Sequence, residues 1–131
     1  MVKRYKQEPG RAQVERLLGL ADQVVLAAHC RVEVAAALSR EWHDRAIDVQ
    51  QLSAALAAVA KDFADFEVLA LGAQVEAFAI SAMQLSRLRA MDALHIGAAQ
   101  MAGVDLFITA DIEQANAARR TGLNTELITT D

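Results

Sequence analysis

Asp105-Leu106-Phe107-Ile108-Thr109-Ala110-Asp111 carries a strand directly into a helix start. Its middle is apolar and β-branched, the composition of a half-buried or buried strand. Asp111 stands three residues before Gln114, the spacing of a capping box, in which each side chain satisfies a backbone N–H at the helix start. The helix that opens there is expected to stop near Gly122, and Thr125-Glu126-Leu127-Ile128 reads as one more short strand. A strand, a helix of this length and a second strand form a βαβ unit, which requires the two strands to be parallel.

The same alternation extends toward the N-terminus. Val24-Val25-Leu26-Ala27-Ala28 and Glu67-Val68-Leu69-Ala70-Leu71 are short apolar runs that read as strands. Between and around them the apolar spacing predicts helices. Val14, Leu17, Leu18 and Ala21 give one over 11–20, and a second runs from Cys30 to His43. A third opens at the capping box Asp48/Gln51 and shows Leu52, Ala55, Leu56, Val59 and Phe63 on one face. Two more are expected over 73–87 and 90–102, the latter closed by Gly103. The expected architecture is α/β, a three-layer fold with a short parallel sheet flanked by helices, in a single domain covering residues 1–131. In such sheets ligands bind beyond the carboxyl ends of the strands. The places to search are therefore the junctions 28–33, 71–76 and 109–113.

Composition narrows the function classes. The 131 residues are 54 % apolar, too hydrophobic for a disordered chain. Charged or polar residues interrupt every apolar run well short of the roughly 20 residues a membrane helix needs. Met1-Val2-Lys3-Arg4-Tyr5-Lys6 has no apolar segment behind it to make a signal peptide. Cys30 is the single cysteine, so no intrachain disulfide or cysteine zinc site forms, and a cytoplasmic setting is expected. A net charge of −4 and 5 % aromatic residues argue against a non-specific nucleic-acid coat or a base-stacking platform. Lys3, Arg4, Lys6 and Arg11 are read as a solvated basic terminus. No Walker loop, GxGxxG or GxSxG is present.

Three acids sit where acids are costly or well placed. Glu33 shares a stripe with Cys30, Val34, Ala37 and Leu38, and a carboxylate facing a core needs a partner or a metal. Asp92 opens a helix that is apolar nearly all round, and Asp111 follows the strand 105–109. Each has a structural alternative: an ion pair of Glu33 with Arg31 or Arg40, a macrodipole role for Asp92, an N-cap role for Asp111. Together, three carboxylates near one sheet end suggest an all-oxygen site for Mg²⁺ or Mn²⁺. His95, three residues after Asp92, reads as a core or supporting residue. His29 and His43 belong to no constellation, and Cys30 reads as a small buried hydrophobe.

At these residues the chain resembles the PIN-domain family, and within it the VapC-type toxin ribonucleases. Three stretches carry the resemblance: Val2 through Gly10; Val32-Glu33-Val34-Ala35-Ala36-Ala37-Leu38; and Leu88-Arg89-Ala90-Met91-Asp92-Ala93-Leu94-His95-Ile96-Gly97 continuing to Asp105–Asp111. It implies metal-dependent cleavage of RNA. Glu33, Asp92 and Asp111 would be the catalytic, metal-binding acids, with Thr109 supporting them through its hydroxyl. It further implies a homodimer paired with a small antitoxin protein.

The family's pattern also has a central first strand ending in an aspartate, just ahead of the segment that here starts at Met1. The expectation is therefore a PIN-like fold lacking that strand, with Met1 an internal residue of a longer reading frame. Activity would be impaired by the missing aspartate. The alternative is a catalytically silent PIN-like protein that binds an antitoxin or RNA. Without the strand, the segments near 24–28 and 105–109 are expected to pair directly or to be completed by another chain, because unpaired buried backbone is costly.

Overall fold

The computed structural model describes residues 1–5 and 8–129. The chain divides into two compact units, one of Met1–Val24 and Ala28–Glu67, the other of Val25–Ala27 and Val68–Asp131.

The first unit is helical: α1 (Val2–Tyr5), α2 (Arg11–Leu20), α3 (Cys30–His43) and α4 (Val49–Asp65). The bounds of α2 and α3 agree with the apolar spacing. The stripe Cys30, Val34, Ala37 and Leu38 is buried on α3, and Val59 and Phe63 are buried on α4, which packs against it. The capping box at the start of α4 is complete: Gln51 N–H donates to Asp48 Oδ1 at 2.7 Å and Asp48 N–H donates to Gln51 Oε1 at 2.8 Å.

The N-terminal basic cluster departs from expectation. Arg4 Nε and Tyr5 OH both donate to Asp62 Oδ2, at 2.9 and 2.8 Å, and fasten α1 to α4. Lys3 Nζ donates to the Pro9 carbonyl at 3.0 Å, and Arg11 pairs with Glu15 one turn along α2. Lys6 lies outside the described residues. Arg4 is thus a structural cation rather than part of a solvated tail, because a carboxylate on α4 stands within its reach.

The second unit contains β1 (Val25–Ala27), β2 (Glu67–Leu69, of which Glu67 groups with the first unit), α5 (Ala73–Leu85), α6 (Ala90–Ala102), β3 (Phe107–Thr109), α7 (Ile112–Arg120) and β4 (Thr125–Leu127). β3 and β4 are parallel, in the register Phe107↔Thr125, Ile108↔Glu126 and Thr109↔Leu127, as the βαβ reading requires. Bonds from Phe107 N–H to the Asn124 carbonyl and from Ile128 N–H to the Thr109 carbonyl extend the ladder at both ends.

Each strand is only three residues long, shorter than its apolar run. β1 neighbours β2 in one two-stranded sheet, and β3 neighbours β4 in another. Among the described residues β1 and β3 do not pair, so the expected direct pairing of 24–28 with 105–109 is not made. Each strand's one ladder lies with its other neighbour.

Two apolar clusters hold this unit. Ala82, Ile96, Ala117 and Ala118 form one, with Leu88, Phe107 and Leu123 against it. Ala27, Val75 and Ala98 form the other, with Leu69, Leu71 and Leu94. Small residues let α5 and α6 approach closely. A Cβ added to Gly97 would stand 2.5 Å from the Val75 carbonyl oxygen, so only glycine fits there. Gly103 ends α6 in the left-handed conformation (φ 64°), as read from the sequence. Among the described residues no helix is long and apolar enough to cross a membrane.

Candidate functional site

In the second unit the end of β3 and the starts of α6 and α7 meet. Asp111 caps α7: its Oδ1 accepts from Glu113 N–H at 2.8 Å and from Gln114 N–H at 3.0 Å. Its own N–H donates to Thr109 Oγ1 at 3.1 Å. The hydroxyl of Thr109, at the buried end of β3, therefore supports the Asp111 turn.

The capping box expected at Asp111 is only half made. The Thr109 hydroxyl already occupies the Asp111 N–H, so the Gln114 side chain has no donor to return to. It points inward instead and is 8 % exposed. Its Oε1 accepts from Thr109 Oγ1, and its Nε2 donates to the Asp92 carbonyl oxygen at 3.2 Å. One amide thus ties together β3, the start of α7 and the first turn of α6. Sequence reasoning missed this role because Gln114 was assigned to the cap. The signal was the hydroxyl of Thr109 two residues before the capping aspartate.

Asp92 and Asp111 line one cavity of about 380 Å³, together with Glu113, Gln114, Arg87 and Arg89. Two of the three acids predicted for the site are therefore brought together, and Glu113 adds a carboxylate the sequence reading did not include. Both structural alternatives also hold. Asp111 is an N-cap, and Asp92 lies in the first turn of α6, where the helix dipole favours it.

Neither role consumes the acid. Asp111 Oδ2 takes no hydrogen bond among the described residues. Asp92, 25 % exposed, has Arg89 Nε at 3.6 Å from Oδ2, but Arg89 is 87 % exposed. A pair at that distance and exposure is weak.

Glu33 belongs to the first unit, in the first turn of α3. It is 39 % exposed, at the edge of the buried stripe, and His29 Nε2 stands 3.7 Å from its Oε1 one turn away. His29, which the sequence reading left outside any constellation, thus stands beside Glu33. Cys30 is buried, and burial, with a contribution from Glu33, pushes its thiol up to about 11. It is a core residue, as expected.

A model of the PIN domain family matches residues 1–120. The chain belongs to the PIN domain family. Its mixed α/β architecture with short strands agrees with that fold. Members are generally nucleases that act on RNA and use divalent metals. No curated protein matches the chain. The cavity lining joins three carboxylates to two arginines, Arg87 and Arg89. Asp92, Asp111 and Glu113 offer only carboxylate oxygens, the ligands that hard divalent cations prefer.

Proposed function

We propose that this PIN domain is a metal-dependent endoribonuclease of the VapC toxin type, with Asp92 and Asp111 as acids of its catalytic site. The observation that carries the reading is the shared cavity of these two residues, with Asp111 Oδ2 left open while Oδ1 holds the helix cap. Asp92 and Asp111, with Glu113 beside them, would hold Mg²⁺ or Mn²⁺. When bound, the ion lowers the pKa of its water and stabilises charge on the phosphate being cleaved.

The chain's own residues do the positioning. Thr109 fixes the Asp111 turn, and Gln114 holds the Asp92 backbone against it. The open carboxylate oxygens would hold the ion so that its water faces the phosphate, the water's proton passing to solvent. Glu33 is added to the catalytic acids by resemblance, which also carries the homodimer and the small antitoxin partner; the cytoplasmic location rests on the single cysteine.

The test is cleavage of a labelled single-stranded RNA by the purified chain. We expect products with Mg²⁺ or Mn²⁺, none with chelator, and loss of cleavage in Asp92→Asn and in Glu33→Gln. RNA or antitoxin binding without cleavage would move the assignment to the catalytically silent alternative. Cleavage by Glu33→Gln at the wild-type rate would remove Glu33 from the site.

A further inference from the structure

Between α5 and α6 the chain passes through Ser86-Arg87-Leu88-Arg89, extended at both ends of that segment. Ser86 has φ −146°, ψ 151° and Arg89 has φ −76°, ψ 153°. In extended backbone, successive side chains point to opposite sides. Here Leu88 packs against the Ala82–Ile96–Ala117–Ala118 cluster, and the two arginines flanking it are exposed. Leu88 therefore anchors the segment, and the two exposed arginines beside it line the carboxylate cavity with it.

A third cation braces the segment: Arg120 Nη1, from the end of α7, donates to Ser86 Oγ at 3.1 Å. Arg87 makes no ion pair among the described residues, and the contact of Arg89 with Asp92 is long and solvent-exposed.

The chain has a net charge of −4, and the cavity gathers three carboxylates. A polyanion would be repelled from such a site unless cations stood beside it. Guanidinium forks match phosphate oxygens in pairs and remain charged at any working pH. We propose that Arg87 and Arg89 form a phosphate-binding strap that holds the phosphodiester backbone of RNA beside the acids. Contacts to phosphate position a strand without reading its bases, so the strap favours no sequence. The inference rests on the nuclease reading above.

The test compares Arg87→Ala/Arg89→Ala with the parent chain in two assays. Binding of a fluorescent single-stranded RNA is followed across a salt series with Mg²⁺ present, in an Asp111→Asn background that stops cleavage. Each phosphate contact on a single strand contributes roughly 0.7 to the slope of log affinity against log salt, so the double variant should lose about 1.4. Cleavage by the chain with Asp111 intact should show a KM raised about tenfold, with kcat within about twofold. Arg87→Lys/Arg89→Lys should recover most of the slope, which a purely structural role would not predict, and melting temperature should stay unchanged.

An unchanged slope and KM in a chain that cleaves RNA would overturn the strap and leave the nuclease reading standing. Binding that depends on both arginines in a chain that never cleaves would do the reverse. No RNA binding by the parent chain would overturn both.

Discussion

Asp62 and Asp111 are both hydrogen-bonded aspartates, yet they answer to opposite demands. Asp62 receives Arg4 Nε and Tyr5 OH on one oxygen. Burial works against its ionisation, but those two hydrogen bonds and the Arg4 charge outweigh it and hold the carboxyl below its ordinary value. The same pairing, with burial leading, pushes the Tyr5 phenol upward. That charge is neutralised on the spot, and its effect is to join two helices. Asp111 takes only backbone N–H groups, on Oδ1, and presents its other oxygen where Asp92 and Glu113 also line a cavity. A cation answers the first carboxylate from within the fold. The second makes no ion pair among the described residues, which is the condition of a group that works on something from outside.

Asparagine at 111 separates the two halves of that residue's work, and there the contrast should be greatest. Asparagine caps helices about as well as aspartate, so Asp111→Asn should melt within about 0.5 kcal/mol of the parent. Its charge is gone, and metal-dependent cleavage should fall more than a hundredfold, beyond the 10–100-fold typical of groups that only orient a ligand. Asp111→Ala should lose the cleavage and about 1 kcal/mol of stability as well. Asp62→Asn should cleave at the parental rate. Equal losses of cleavage at 62 and 111 would erase the distinction between the two acids.

Gln114 is the next largest effect. Leucine there removes both bonds of the bridging amide and leaves the Thr109 hydroxyl and the Asp92 carbonyl without it. A buried polar group left unpaired costs about 1–3 kcal/mol, and supporting groups of metal sites typically matter 10–100-fold in activity or metal affinity. Gln114→Leu should therefore need more Mg²⁺ or Mn²⁺ for half-maximal cleavage, with a lower melting temperature. Gln114→Glu keeps the acceptor for Thr109 but, when ionised, loses the donor to Asp92, so it should recover the smaller part. A metal requirement unchanged in both variants would reduce the bridge to ordinary core packing.

Sequence patterns fixed by local physics were legible. The bounds of α3 and α6, the capping box at Asp48, the glycine that ends α6 and the parallel pairing of β3 with β4 follow from apolar period, cap chemistry and chain connectivity. Asp92 and Asp111 were legible as acids at helix starts near a strand end. What stayed hidden depends on which partner wins a shared group. Gln114 read as half of a capping box, and nothing local says that Thr109 claims the Asp111 N–H first. Arg4 read as a solvated charge because its partner, Asp62, lies 58 residues away. Gly97 drew no reading of its own, because its need is set by the Val75 carbonyl of a different helix. Strand lengths were overread because an apolar run reports burial, whereas a ladder also needs a neighbour along its whole length.

The smallest effect is the most direct measure of Asp62. A group whose carboxyl is depressed in the folded chain contributes its stabilisation fully above its ordinary value of 3.8. That contribution is lost as pH falls through the lower, folded value. Asp62→Asn removes the charge at every pH, and hydrogen bonds to a partly exposed charge suggest a cost of about 1 kcal/mol near neutrality. The gap in melting temperature between parent and variant should therefore be flat from pH 7 to about pH 5 and narrow below about pH 4, as the parent carboxylate takes up its proton and releases Arg4. Tyr5→Phe should narrow the same gap in part, since its hydroxyl supplies one of the two bonds that keep Asp62 ionised. A gap that stayed constant to the acid limit would mean that the Arg4–Asp62 charge pair adds nothing to the joining of α1 and α4, and the tie would then rest on neutral contacts alone.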